Sequence, residues 1–347
     1  MEQLHLNVSL LRRRVPNLTK AAKSVGLRPA TVSNLCTGKI SVGKTEVRTL
    51  VALANLAGCS LDELIIRGER YEMIETGIKS IDLFAPLAKK GTAGLVVARP
   101  GMGQLVVLAE IFHRLKNHGY KIVLLHPEGD YPEVSDLKED LDVICYTVEE
   151  AEEEVLNIGK AKEVLFIADR SYVIDGTIVK LQEKWTDLKS VTTFLLDLKG
   201  EAIDENLPYG PLETLWHFDS DLAARRIYPA IHPLQSTSTV LEGANLEQNH
   251  FYIQQKAKKH LRRYKELRSI VQVSGMDPLS SADQQVYKRG ELLEAYLSQP
   301  FYVAENFTGI KGEHVPLDQT LRDTRKILDG AEDHKLAKEL MSIGALL

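Results

Sequence analysis

The sequence predicts an all-α N-terminal head, then an α/β domain built on a mainly parallel sheet, and then a C-terminal helical subdomain. Short helical patterns separated by glycines fill the first 68 residues. From Glu72 onward, short apolar runs alternate with helix-like stretches, which is typical of a parallel sheet covered on both faces. A charged stretch with helical character follows residue 255. We therefore expect three domains, at residues 1–68, 72–255 and 256–347.

Five apolar runs are the expected strands of the sheet. They are Leu95–Val97, Ile122–Leu125, Val143–Tyr146, Val164–Ile167 and Thr193–Leu196. Amphipathic stretches lie between them, including Val106–Leu115 and Val148–Ile158, and we expect these to be helices.

Composition indicates an ordinary soluble protein of two or three domains, with 347 residues, 44% hydrophobic and 26% charged. No apolar run reaches the length that spans a bilayer, and the N-terminus lacks the apolar core of an export signal. Cys36, Cys59 and Cys145 are scattered without metal-ligand spacing, so we expect free thiols and no metal site. These features predict a cytoplasmic protein with no membrane contact.

Charge is unevenly distributed along the chain. Residues 1–68 contain 10 Lys and Arg against 4 Asp and Glu, whereas the remainder contains 33 against 44. A basic head on an acidic body favours a polyanionic partner that meets the N-terminus.

Two short helices joined by a glycine turn are the main feature of the head. Leu18–Val25 reads as the first helix, Gly26 as the turn, and Pro29–Thr37 as the second helix, with proline at its start. Ala22, Gly26 and Val32 keep the spacing of a helix-turn-helix. Farther on, Ser60 and Glu63 form a capping box for another short helix.

The stretches Gly26–Lys39 and Leu50–Leu64 resemble the Cro and repressor type of helix-turn-helix domain. The resemblance implies that the second helix lies in the major groove of double-stranded DNA. Base-reading residues would then be Arg28, Thr31, Ser33 and Asn34, and phosphate-holding residues Thr19, Lys20 and Lys39. The alternative is a helical bundle that binds protein.

The segment Ala98–Leu105 has the setting of a phosphate-binding loop, because it follows an apolar strand and precedes a helix. The pattern of such loops is G-x-x-x-x-G-K-[ST]. Of its four defining positions only Gly103 remains, since Ala98 replaces the first glycine, Gln104 the lysine and Leu105 the hydroxyl residue. The loop therefore keeps its place between a strand and a helix, but it lacks the lysine and the hydroxyl residue that bind phosphate and metal.

Several segments of the body resemble the ATP synthase beta subunit. The similarity covers roughly residues 72–110 and 220–345, and it is carried by Glu75–Leu87, Ile227–Ser238, Arg263–Asp277, Leu297–Gly312 and Val315–Gly330. The resemblance implies a RecA-like nucleotide-binding domain whose active site is degenerate. The beta-barrel of that family is absent from this sequence, and the helical head precedes the domain instead.

The resemblance also assigns site residues. Asp169 takes the place of the magnesium-associated aspartate, Glu128 is a counterpart of the catalytic glutamate, and Thr239 stands where a related subunit carries an arginine finger. Tyr228, Phe301 and Phe307 match three base-contacting aromatics. Without lysine, metal ligand and finger we expect no hydrolysis, because one finger alone contributes about 10³–10⁵ in rate.

We therefore expect no catalytic residue, no metal and no required cofactor, but an adenine nucleotide held without hydrolysis. The candidate nucleotide-binding residues are Arg99, Gly101, Gly103, Gln104, Asp169, Tyr228, Phe301 and Phe307.

The function predicted from these features is a DNA-binding transcriptional regulator whose inactive ATPase-like domain mediates homo-oligomerisation and ligand sensing. Two alternatives stay open. One is an ATP-dependent enzyme that uses Arg99, Glu128 and Asp169 around a non-standard loop. The other is a non-catalytic partner or decoy of a rotary ATPase.

Overall fold

The computed structural model of the chain describes residues 4–15, 18–36, 40–67, 72–99, 101–127, 129, 131–200, 202, 212–242 and 248–346. The chain forms two compact units, Met1–Glu72 with Ser238–Glu247, and Met73–Thr237 with Gln248–Leu347. The three domain boundaries expected from the sequence stay predictions.

The N-terminal unit is mainly helical. Its helices are α1 (Val8–Arg14), α2 (Leu18–Ser24), α3 (Pro29–Cys36), α4 (Val47–Ala57) and α5 (Leu61–Leu64). The expected capping box is confirmed, since Ser60 Oγ accepts from Glu63 N at 3.2 Å and Glu63 Oε2 accepts from Ser60 N at 2.7 Å. Val32 and Leu35 of α3 pack with Leu53 of α4 in the unit's own core.

The description of this unit as all-α is wrong in one respect, because two short strands pair in it. Strand β1 (Leu4–Leu6) lies antiparallel to β2 (Ile65–Arg67), with Leu4 opposite Arg67. The two strands are about 60 residues apart in the chain, and three-residue strands carry too little alternation to be recognised from sequence.

The larger unit is built on a sheet whose described strands are β5 (Thr92–Val96), β6 (Lys121–Leu125), β7 (Val143–Cys145), β8 (Glu163–Asp169), β9 (Ser190–Leu196) and β10 (Thr214–His217). The two-residue strand β11 (Thr237–Ser238) falls at the boundary of the two units in the chain. The strand order is β11-β10-β5-β9-β8-β6-β7. From β10 to β7 every pairing is parallel. A separate antiparallel pair consists of β3 (Met73–Ile74) and β4 (Leu87–Ala88).

Helices cover both faces of the sheet and form the C-terminal subdomain. They are α6 (Lys79–Phe84), α7 (Gln104–Asn117), α8 (Val148–Gly159), α9 (Ser171–Ile174), α10 (Thr177–Lys184), α11 (Ser220–Ala224), α12 (Gln248–Ser274), α13 (Ser281–Leu297), α14 (Glu305–Thr308) and α15 (Leu317–Asp329). One apolar cluster joins α7 to the sheet, a second joins α8 and α10 to it, and a third unites α12, α13 and α15. The α/β class with a helical C-terminal part is confirmed.

Within the described ranges, no helix combines the length and the apolar character that crossing a bilayer requires.

Candidate functional site

The turn between β5 and α7 brings two glycines with left-handed backbone to the start of a helix. Gly101 and Gly103 have positive φ of 80° and 86°, a conformation that glycine adopts without steric cost. Gly103 is the N-cap of α7 and provides no side-chain cap, so the first amides of the helix lack an intrahelical acceptor. Such a helix start attracts an anion.

The side chains of this turn do not provide what a nucleotide triphosphate requires. Leu105 packs against the apolar core, and Gln104 Oε1 is buried with no hydrogen-bond partner in the described part of the chain. Arg99 is exposed, as expected for a solvated loop cation. The turn therefore presents backbone donors, but no lysine and no hydroxyl ligand.

Tyr228 lies directly on this turn. A Cβ built on Gly103 would lie 3.5 Å from Tyr228 Cε1, so the ring is in van der Waals range of the glycine. The ring is 42% exposed, and its hydroxyl donates weakly to Ala223 O at 3.5 Å. Gly103 thus has a second role besides its positive φ, because it leaves room for this aromatic ring.

The other two expected base-contacting aromatics have different environments. Phe301 is 6% exposed and belongs to the same apolar cluster as Met102 of the loop. Phe307, in α14, is 92% exposed. Of the three aromatics, the structure places Tyr228 on the loop, buries Phe301 in the core and leaves Phe307 in solvent.

Asp169 ends β8 at the same edge of the sheet as the loop, because β5 and β8 run parallel. Strand β9 separates them, which puts the two strands about 10 Å apart. The carboxylate is 7% exposed and already accepts from Ser171 N at 2.9 Å, Ser171 Oγ at 2.6 Å and Leu198 N at 3.4 Å. An Asp side chain that accepts from the amide two residues later forms an Asx turn, and the Asp-x-Ser spacing of residues 169–171 is typical of it. The sequence analysis did not recognise that this turn would engage the Asp169 carboxylate.

These residues do not fit the magnesium ion that the resemblance implies. Leu105 has no oxygen, and Asp169 is engaged by Ser171. Among the described residues, no group of three or more His, Cys, Asp or Glu is arranged to hold a metal. Glu128 lies outside the described residues, so its predicted role stays a prediction.

A buried ion pair fixes the helix behind the loop, and sequence reasoning missed it. Arg114 and Glu110, one turn apart in α7, are 2.7 Å apart and almost fully buried. Arg114 also donates to the carbonyl oxygens of Gly77 and Glu313, each at 2.7 Å, while Glu110 Oε2 accepts from Val303 N at 3.1 Å. Opposite charges at i and i+4 inside an apolar helix are the signal that could have revealed the pair.

The candidate residues of the N-terminal unit lie in and around α2 and α3. Arg28, Lys20 and Ser33 are exposed, and Thr31 and Asn34 are half-buried. The side chain of Thr19 and all of Lys39 lie outside the described residues.

Three cations of the basic stretch of α12 form ion pairs within the larger unit. Lys256 binds Asp329 at 2.5 Å, Arg263 binds Asp283 at 3.0 Å, and Arg268 binds Asp221 at 2.6 Å. For these three residues the internally paired helix face is the better description.

Two comparisons with known proteins bear on this geometry. Residues 241–337 match the C-terminal domain of V and A type ATP synthase. The structure of a unique ATP synthase subunit, NeqB from Nanoarcheaum equitans, resembles this chain with a TM-score of 0.62 and 20% identity. The likeness covers 76% of this chain and 78% of that one. At this identity the likeness shows a shared fold.

The predicted DNA-binding transcriptional regulator is wrong. Both comparisons lead to ATP synthase subunits and neither to DNA. Double-stranded DNA, the expected partner, is corrected with it, whereas the expected homo-oligomer stays a prediction. The physical reason for the error is that two short helices around a glycine turn are a general packing solution, so their spacing does not specify a ligand.

Proposed function

We propose that the chain is a non-catalytic partner of a V/A-type rotary ATPase. The observation that carries the proposal is the match of residues 241–337 to the C-terminal domain of V and A type ATP synthase, on a chain whose loop has Gln104 and Leu105 in place of lysine and hydroxyl. The fold shared with the NeqB subunit supports it. The body is then a degenerate, RecA-like relative of the ATP synthase beta subunit.

Co-assembly tests this proposal. The tagged full-length chain is expressed together with the nucleotide-binding subunits of a V/A-type ATP synthase, and the eluate is separated by size-exclusion chromatography. We expect the chain to elute in a complex with one or more of these subunits. Separate elution, under conditions in which the subunits assemble with each other, would contradict the proposal.

The chain is expected to hold an adenine nucleotide without hydrolysing it. The open amides at the start of α7 favour a phosphate group, and the half-exposed ring of Tyr228 beside Gly103 favours an adenine base. Calorimetry with ATP, ADP and AMP, with and without magnesium, tests this. We expect affinity that does not depend on magnesium and no phosphate release. If no binding heat is detected at millimolar nucleotide, the chain does not bind adenine nucleotides, and the loop has only a structural role.

The N-terminal unit is then a helical module that binds protein. This function agrees with comparisons that lead to ATP synthase subunits and not to DNA. Its helices α2 and α3 share a core with α4, and its outer face carries Arg28 and Lys20. The scattered free cysteines agree with a reducing, cytoplasmic location.

A further inference from the structure

A cleft in the larger unit lies beside the turn that carries Tyr228. Its empty volume, open solvent included, is ≈ 630 Å³. The apolar part of its wall includes Leu222, Ile227, Pro229, Leu261 and Leu297. Apolar walls with a few convergent polar groups are the usual composition of a small-molecule site.

The first polar group is His232, whose residue is 6% exposed. Its Nδ1 accepts from the backbone amides of Leu234, at 3.1 Å, and Gln235, at 3.2 Å. Burial lowers the pKa of His232, and Lys265 lowers it further, although Asp219 opposes the shift. The ring is therefore neutral with its proton on Nε2.

The second group is Lys265, which meets this proton rather than an acceptor. Lys265 Nζ lies 3.2 Å from His232 Nε2, and both atoms are donors. Asp219 Oδ2 is 3.5 Å from Nε2, too long for a good hydrogen bond. Lys265 is an exposed residue, and in the described part of the chain its Nζ has no ion pair within 4.0 Å. Two donors therefore converge, with the Asp219 carboxylate oxygen 3.5 Å from one of them.

The third group is Ser80, which is 3% exposed and also lines the cleft. Its Oγ is buried with no hydrogen-bond partner among the described residues, a costly state for a hydroxyl. Of the acidic groups that line the cleft, Asp221 is paired with Arg268 and Glu294 with Arg225. Asp219 instead faces His232 Nε2, at 3.5 Å.

We propose that this cleft binds a small organic anion, with its carboxylate or phosphate head against Lys265, His232 and Ser80 and its apolar body along Leu222, Ile227 and Leu261. An anionic oxygen within hydrogen-bond distance of both Nζ and Nε2 supplies a closer acceptor than Asp219 Oδ2, which is 3.5 Å from Nε2. The site is separate from the phosphate loop and does not depend on the function proposed above.

Calorimetry on the full-length chain with sodium octanoate, octyl phosphate and octanol tests the proposal. We expect one of the anions to bind at least about tenfold more tightly than octanol, since a hydrogen bond to a charged group is worth about that factor. The tighter of the two anions identifies the head group. Equal affinity for octanol would overturn the proposal.

Variants locate the site. Lys265→Met keeps the apolar stem and is expected to weaken binding of the preferred anion about tenfold, while Ser80→Ala, nearly isosteric, weakens it by a smaller factor. Lys259→Met is the matched control, because Lys259 is an exposed lysine of α12 outside the cleft. Unchanged affinity in both Lys265→Met and Ser80→Ala would refute the site. Thermal unfolding of each variant verifies that the chain is folded.

Discussion

At the scale of single residues, the loop lacks three of the properties that catalysis of phosphoryl transfer needs. Gln104 is neutral, Leu105 has no oxygen, and the Asp169 carboxylate is held by Ser171. The first two losses are readable from the sequence. The third is not, because it depends on the conformation of the turn after β8.

Restoring the lysine and the hydroxyl alone is therefore not expected to restore hydrolysis. In Gln104→Lys with Leu105→Thr, Asp169 is still engaged by Ser171, and Thr239 still stands in the position of the finger. We expect phosphate release to stay at background in a coupled-enzyme assay. Adding Ser171→Ala removes the hydroxyl bond to Asp169 Oδ1 and leaves the bond from the backbone amide at 2.9 Å, and this triple variant serves as the comparison. Substantial release from the double variant alone would show that Asp169 is accessible to a metal.

The ion pair of Arg114 and Glu110 predicts a large effect on stability. Arg114→Met leaves the buried Glu110 carboxylate unpaired, which should lower the free energy of unfolding by about 3–5 kcal/mol. Replacing both residues, in Glu110→Gln with Arg114→Met, should recover part of that loss because no buried charge is left unpaired. Urea unfolding followed by the fluorescence of Trp185 and Trp216 measures both variants. An equal loss in both would mean that packing, not charge, is responsible.

At the scale of elements, a buried lysine joins α6 to the C-terminal segment. Lys79 Nζ donates to Ile343 O at 2.9 Å and to Gly344 O at 3.1 Å, and it lies 4.1 Å from the centre of the Tyr296 ring. Burial lowers the pKa of Lys79 to about 7, although Asp323 and Glu313 oppose the shift.

This lysine predicts a rise of stability with pH. Between about pH 7 and its ordinary value of 10.5, Lys79 is neutral in the folded chain and protonated in the unfolded chain. The unfolded state then binds one proton more, so the free energy of unfolding rises by about 1.4 kcal/mol per pH unit. Lys79→Met should remove that part of the slope between pH 7.5 and 9.5, as measured by urea unfolding.

The neighbouring Asp82 provides the control, because its contribution to the free energy of unfolding changes with pH in the opposite direction. Burial raises the pKa of Asp82 to about 7, against the hydrogen bonds from Thr76 and Gly77. Between pH 4 and 7 the folded chain binds the additional proton, so stability falls as pH rises there. Asp82→Asn should remove the fall in the free energy of unfolding between pH 4 and 7. The rise between pH 7.5 and 9.5 should stay unchanged. If one variant removed the pH dependence in both ranges, the assignment of Asp82 to the acid range and Lys79 to the alkaline range would be wrong.

The elements that the sequence predicted are those whose own pattern determines them. Helices α7 and α8 lie where their amphipathic spacing indicated, and β6, β8 and β9 coincide with their apolar runs. Strand β10 was missed because Thr214–His217 is short and polar at both ends, and its pairing with β5 defines it. Pairing partners distant in the chain leave no local signal.

At the scale of the whole molecule, the sequence predicted the fold class but misjudged which part of the chain indicates function. The head attracted the functional prediction because its residues match a familiar motif. The C-terminal 241–337 segment carries the likeness that corrects it. The loop residues were found because they are contiguous, whereas Ser80, His232 and Lys265 are spread over 186 positions and meet only in the fold.

Each of the two units has an apolar core of its own, which predicts that they unfold separately. Leu53 is fully buried in the N-terminal core, and Leu293 is fully buried among α12, α13 and α15. Each Leu→Ala exchange should lower the free energy of unfolding of its own unit by about 2–5 kcal/mol.

Both tryptophans, Trp185 and Trp216, lie in the larger unit, so their fluorescence reports on that unit alone. We expect Leu293→Ala to lower the urea midpoint of fluorescence and Leu53→Ala to leave it unchanged, while far-ultraviolet circular dichroism shows an earlier loss of helix in Leu53→Ala. An equal shift of the fluorescence midpoint in both variants would mean that the chain unfolds as one cooperative body.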